Sequence, residues 1–172
     1  MRPDLKYGLI AGALMSAWML LEHLFGLHTT YLAAGRYTGV VGDLIPVVVL
    51  YLLLKHQLIA LQRYWLPLWE GVLYGLVASF VAALVFFIFL NLYKFFLNPI
   101  WIDLQLDWKV AQWRAGGTPE AEIQRQISAL RLGHGPIGMA LTIPIFALAG
   151  SAVSALITLG LNWRHKETPH GS

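Results

Sequence analysis

The chain has no cysteine at all. Disulfides, thiolate metal sites and cysteine nucleophiles are therefore excluded. Charge is scarce as well: Asp, Glu, Lys and Arg make up 12% of the 172 residues, where a soluble domain carries about a quarter. The net charge of +3 is dispersed, with no basic block of the kind that grips nucleic acid. No Gly-x-Ser-x-Gly elbow and no phosphate-cradling glycine loop occurs, which leaves serine hydrolysis and nucleotide chemistry without a sequence basis.

What the chain has in their place is apolar length. It is 58% hydrophobic, with a mean hydropathy of +0.62. The stretch from Gly71 to Tyr93 contains no Asp, Glu, Lys, Arg or His. At about 1.5 Å of rise per residue, a helix of that length crosses a ~30 Å hydrocarbon core. A helix apolar on every face is a membrane span, not a surface helix. Three further apolar runs complete the pattern, and the expected spans are about 6–27, 39–54, 68–97 and 136–163. The first is read as a retained span, because no small-residue cleavage pattern follows it. Barrel strands are excluded, since they alternate and these runs do not.

The spans are joined by a loop from His28 to Tyr37, by an aromatic connector from Lys55 to Glu70, and by a polar stretch that predicts a helical hairpin over about 99–132. Asn98-Pro99 reads as N-cap and first residue of the hairpin's first helix. That helix carries two apolar stripes, Ile102/Leu106/Val110/Trp113 and Trp101/Leu104/Trp108/Ala111, with Gln105, Lys109 and Gln112 between them on one side. Gly116-Gly117 makes the turn, Thr118-Pro119 opens the second helix and Gly133 is expected to stop it. The tail after Lys166 is polar and expected to be disordered. The fold class is all-α, a polytopic membrane protein with four transmembrane helices and an extracytoplasmic helical hairpin. Orientation follows from charge. Arg2, Lys6, Lys55, Arg63, Arg164 and Lys166 fall on one side and only Arg36 in the short loop opposite, so both termini are expected in the cytoplasm.

Five residues are expected near the hairpin end of the bundle: Glu22, His23, His28, Asp43 and His134. Imidazoles and carboxylates together suit a divalent metal such as zinc. Their spacing matches no ligand motif, however, and Glu22 and His23, as neighbours on a helix, point about 100° apart. The favoured reading has Glu22 pairing with Arg36 or accepting loop amides, with no metal and no cofactor. Glu22 and Asp43 at membrane depth also suggest an ion or proton relay, but each lies near a span end, where structural pairing is the simpler account. Asp103 and Asp107 offer too few oxygens for calcium, and Glu70 suits a helix start. Small residues four apart, Gly8 and Gly12, Gly71 and Gly75, and Gly150 and Ser154, point to close helix packing, within one chain more than between copies.

The Lys6-Tyr7-Gly8-Leu9-Ile10-Ala11-Gly12 opening, the short connector before the third span, the charged hairpin with its Gly-Thr-Pro-Glu-Ala-Glu-Ile-Gln-Arg-Gln stretch and the basic end of the last helix together resemble a group of small bacterial membrane proteins. This is the domain-of-unknown-function family numbered four-one-nine-nine. The resemblance covers nearly the whole chain and implies four spanning helices in bacteria; the expected location is the bacterial inner membrane. It brings no activity and no site residue. Three functions remain in view. The favoured one is a non-catalytic structural or accessory subunit acting by helix packing, with the lipid bilayer and a larger membrane complex or homo-oligomer as partners and no nucleic acid. The others are a small oligomeric transporter or channel, and an outer-face metal-dependent enzyme.

Overall fold

A computed structural model describes residues 1–166, apart from the side chains of Arg36, Pro136 and residues 164–166. The polar tail beyond Lys166 lies outside the described residues. Six α-helices follow one another: α1 (Pro3–Leu24), α2 (Leu32–Ala60), α3 (Leu68–Leu92), α4 (Trp101–Ala115), α5 (Glu120–His134) and α6 (Pro136–Lys166). No strand occurs among the described residues. α3 continues into a π-helical turn over Tyr93–Leu97. Four of the helices, α1, α2, α3 with its π-turn, and α6, are long and apolar enough to cross a membrane. The chain is a multi-pass membrane protein. α4 and α5 form the hairpin at one end of the bundle, and the start of α1 and the end of α6 share the other.

α3 is the central element, and small side chains let its neighbours close on it. Its buried residues are Gly71, Gly75, Ala78, Ser79, Ala82 and Ala83. α1 runs parallel to it in steps of four: a Cβ built on Gly8 would come 2.8 Å from the Cβ of Val81, and one on Gly12 2.7 Å from that of Val85. α6 runs antiparallel to it, with Gly71 against Thr158, Gly75 against Ser154 and Gly150 against Ser79. Ser154 Oγ donates to the Gly71 carbonyl at 2.7 Å, an interhelical hydrogen bond in a dry interface. Near the terminal end Asn162 holds the backbone of Leu66 in both directions, accepting from its N–H at 2.9 Å and donating to its carbonyl at 2.8 Å. All six small residues singled out for packing thus lie at contacts within one chain. Outward, α6 exposes Ile137, Leu141, Ile145, Leu148, Leu156 and Leu159, an apolar face suited to lipid.

Several helix ends differ from expectation. α2 begins at Leu32, not near residue 39, and runs to Ala60, past the polar Lys55-His56-Gln57. Tertiary packing holds both extensions. Trp18 Nε1 donates to the Thr38 carbonyl at 3.3 Å near one end, and the Tyr7 and His56 rings meet at 5.7 Å near the other. α1 is shifted towards the N-terminus and ends at Leu24. Gly26, at φ +73°, then turns the chain, and its carbonyl accepts the N–H groups of Thr30 and Tyr31 at 2.8 Å each. Asn98 does not cap α4, whose N-cap is Ile100 without a side-chain bond. Gly133 does not stop α5, which ends at His134 before the extended Gly135. Gly117, at φ +74°, makes the turn between the hairpin helices.

Candidate functional site

At the hairpin end, buried polar groups from α1, the α1–α2 loop, α2 and the π-turn of α3 join into one network. Glu22, near the end of α1, accepts from Thr38 Oγ1 at 2.6 Å and lies 3.3 Å from His28 Nε2. The other His28 nitrogen, Nδ1, is 2.9 Å from the Tyr93 hydroxyl. That hydroxyl also lies 3.0 Å from His23 Nδ1 and accepts from Asn98 Nδ2 at 3.1 Å. Tyr93 is fully buried at 0% exposure, so its hydroxyl bonds only within this network. Rings close it in: Trp101 stands edge-on to Tyr93 at 5.8 Å, with His28 on one side at 5.8 Å and His134 on another at 6.2 Å.

Hydrogen-bond counting fixes how the protons run. A tyrosine hydroxyl has one proton to give and room to accept two bonds. Asn98 fills one acceptor position, so Tyr93 donates to one histidine and accepts from the other. With His28 Nε2–H directed at Glu22, His28 Nδ1 takes the Tyr93 proton and His23 Nδ1–H donates to the hydroxyl. With His28 protonated on both nitrogens the direction reverses. Burial pushes the His28 imidazole below its ordinary pKa, against the pull of the Glu22 carboxylate, and so favours the neutral arrangement at pH 7.

Beside this network lies a cavity of about 760 Å³, walled by four helices. Each contributes one face at helical spacing. α1 gives Met15, Trp18, Met19 and Glu22, and α3 gives Phe86 and Leu90. α2 gives Gly35, Gly39, Gly42 and Asp43. α4 forms the remaining wall with Trp101, Gln105, Trp108, Lys109, Gln112 and Trp113. The glycines make the space. A Cβ added at Gly39 would meet nothing within 4 Å, and one at Gly42 would come 3.4 Å from Trp18 Cδ1. The volume falls in the range of about 300–1,000 Å³ typical of small-molecule sites.

The five residues expected near this end are only partly brought together. Glu22, His23 and His28 share the network. Asp43 lines the cavity with no hydrogen bond or ion pair among the described residues. His134 stands behind Trp101, with Nδ1 bonded to the Leu130 carbonyl at 2.8 Å. No group of three or more His, Asp or Glu suited to a metal ion occurs among the described residues. Glu22 pairs with Thr38 and His28, and the side chain of Arg36 lies outside the described residues. Lys94 turns back to donate to the His134 carbonyl at 3.0 Å, closing the end of α5. Asp103 faces Arg131 at 3.8 Å on the surface, and Glu70 is paired with Arg63 at 3.1 Å.

Sequence reasoning missed Thr38, Tyr93, Asn98 and the cavity itself. Asn98 looks like a cap from sequence, and Tyr93 looks like an interfacial aromatic. The row of Gln105, Lys109 and Gln112 reads as a strip between two apolar stripes, yet it lines the cavity.

A family described as "Protein of unknown function (DUF4199)" matches residues 6–159. The chain belongs to this family. The match takes in all of the network and the cavity, so both sit within the family's own region and not in an appendage. No curated protein and no solved structure matches the chain.

Proposed function

We propose that this DUF4199 protein is a non-catalytic accessory membrane protein that binds a small molecule at the hairpin end of its bundle. The observation that carries this reading is the cavity, in which one face from each of four helices converges on open space kept clear by Gly39. Packing remains the business of the rest of the molecule, where the small residues of α1, α3 and α6 are spent on one another. The Tyr93 hydroxyl meets His28, but it is fully buried and shared among His23, His28 and Asn98, so the network offers no accessible nucleophile. The transporter reading has less to support it: the buried cluster of Ala11, Val49 and Ala82 is apolar, and the buried Ser154 and Thr158 spend their hydroxyls on helix carbonyls. By the distribution of Lys and Arg, we place the hairpin and the cavity outside the cytoplasmic membrane of a bacterium, with both termini inside.

Native mass spectrometry of the full chain, gently extracted from its membrane, tests the reading. A small-molecule adduct is expected on the wild type and is expected to be absent from Gly39→Trp, whose indole enters the space. An adduct equally present on both, or on neither, overturns it.

A further inference from the structure

Two opposite charges line the cavity with no hydrogen-bond or ion-pair partner among the described residues. Asp43 lies eleven residues into α2, roughly 16 Å along the helix axis, and no hydrogen bond or ion pair reaches it among the described residues. Lys109 on α4 lines the same cavity and is equally unpaired among the described residues, and no ion pair joins the two. A bare carboxylate inside a membrane span is costly, about 3 kcal/mol near the centre. The other carboxylate here, Glu22, is already satisfied by Thr38 and His28.

The surroundings of each charge complete it as half of a binding site. Trp18 packs beside Gly42, the residue before Asp43, and is held there by its bond to the Thr38 carbonyl. Trp18 and Asp43 line the same cavity, and an indole and a carboxylate in one cavity are the pairing that holds an organic ammonium, through ring quadrupole and charge together. On α4, Gln105 and Gln112 stand four residues before and three after Lys109 and line the same wall, adding amide donors to the ammonium. That is a surface for a phosphate or carboxylate.

We propose that the cavity binds a zwitterion, its ammonium at Asp43 and Trp18 and its anionic group at Lys109. The inference rests on the ligand-binding reading above and names the ligand's chemical class. A zwitterionic phospholipid headgroup and a soluble zwitterion share this chemistry. A lipid would in addition lay its chains along Met15, Met19, Phe86 and Leu90.

The test titrates the full detergent-purified chain with three probes: dihexanoyl phosphatidylethanolamine, its phosphatidylglycerol counterpart, which is anionic, and glycerophosphoethanolamine, which has the zwitterion and no chains. Binding is read by native mass spectrometry, with thermal unfolding to confirm that each variant is folded. A zwitterion is expected to bind on the order of tenfold tighter than phosphatidylglycerol, as the loss of one charge-assisted contact implies. Asp43→Asn should erase that preference, Asp43→Glu should keep it, and Lys109→Gln should weaken the zwitterion by a similar factor. If the chain-free zwitterion binds as tightly as the lipid, the ligand is soluble; if only the lipid binds, it is a headgroup; both support the class. Equal binding of ethanolamine and glycerol lipids that Gly39→Trp still abolishes overturns the zwitterion and leaves the ligand-binding reading standing. Binding that Gly39→Trp does not touch, or no binding of any probe, overturns the inference, and the untouched case removes the cavity as its seat.

Discussion

Tyr93 shows how one hydroxyl can hold several elements together. It is the single group touching His23 of α1, His28 of the loop and Asn98 beyond the π-turn. Tyr93→Phe keeps the ring and leaves the buried His28 and Asn98 and the half-buried His23 short of a partner, so a loss of about 1–3 kcal/mol is expected in an unfolding titration in detergent. Tyr37→Phe, at an exposed position, serves as the control and should not move the curve. His28 adds a pH dependence. Its pKa is lowered by burial in the folded chain, so the unfolded chain takes up a proton near its ordinary value of about 6.5 before the folded chain does. Stability should then fall as pH drops from 7.5 through about 6.5 and below. His28→Gln should flatten that slope in melting curves recorded between pH 7.5 and 5, and a wild type that gains stability on acidification would contradict the assignment. From sequence, Glu22, His23 and His28 were legible as neighbours because they crowd one helix end. Tyr93 and Asn98 were not, since they come some seventy residues later and only packing brings them back.

Between elements the decisive contact is α3 against α6. Gly75→Leu would drive a side chain into Ser154 and to within 3.0 Å of the Gly150 carbonyl at its Cβ alone. The backbones cannot part without losing the neighbouring Gly71–Thr158 and Gly150–Ser79 contacts, so overpacking of about 1–3 kcal/mol is expected, read as a lower unfolding midpoint. Gly160→Leu, which meets nothing within 4 Å, should leave the midpoint in place. Because Leu is the better helix former, propensity cannot lower either midpoint, and an equal fall in both would mean that the contact with α6 does not set the cost. This register was readable in advance to the extent that small residues recur every four positions. Which helix each stripe faces was not, because spacing gives a face and says nothing of its partner. The ends of α2 show a second limit. Hydropathy fades at Gly35-Arg36 and again at Lys55-His56-Gln57, yet the helix continues through both, because Trp18 and Tyr7 of α1 pack against those turns. A window average sees composition, whereas a helix end is set by whether the next turn finds a partner.

For the molecule as a whole, four spans were legible because each is a long local property of the chain, whereas the cavity is a property of four faces meeting and has no local signature. Orientation lies between these cases: it is local in its charges and global in its consequence, and it decides which side of the membrane supplies the ligand. The absence of cysteine makes it directly measurable, since any introduced thiol is the sole one in the chain. Thr118→Cys places that thiol in the hairpin turn, and Trp65→Cys places it on the connector at the opposite end, where the native side chain is exposed. With positive charge inside, a membrane-impermeant maleimide should label Thr118→Cys in intact cells and Trp65→Cys only after the membrane is opened. The opposite pattern would turn the bundle over, put the carboxylates and tryptophans of the cavity on the cytoplasmic side, and make a cytoplasmic solute or inner-leaflet lipid the ligand to seek. With the expected pattern, the cations of the terminal end lie inside, and the cavity, whose Asp43 and Lys109 have no partner among the described residues, opens to what lies outside the cell membrane.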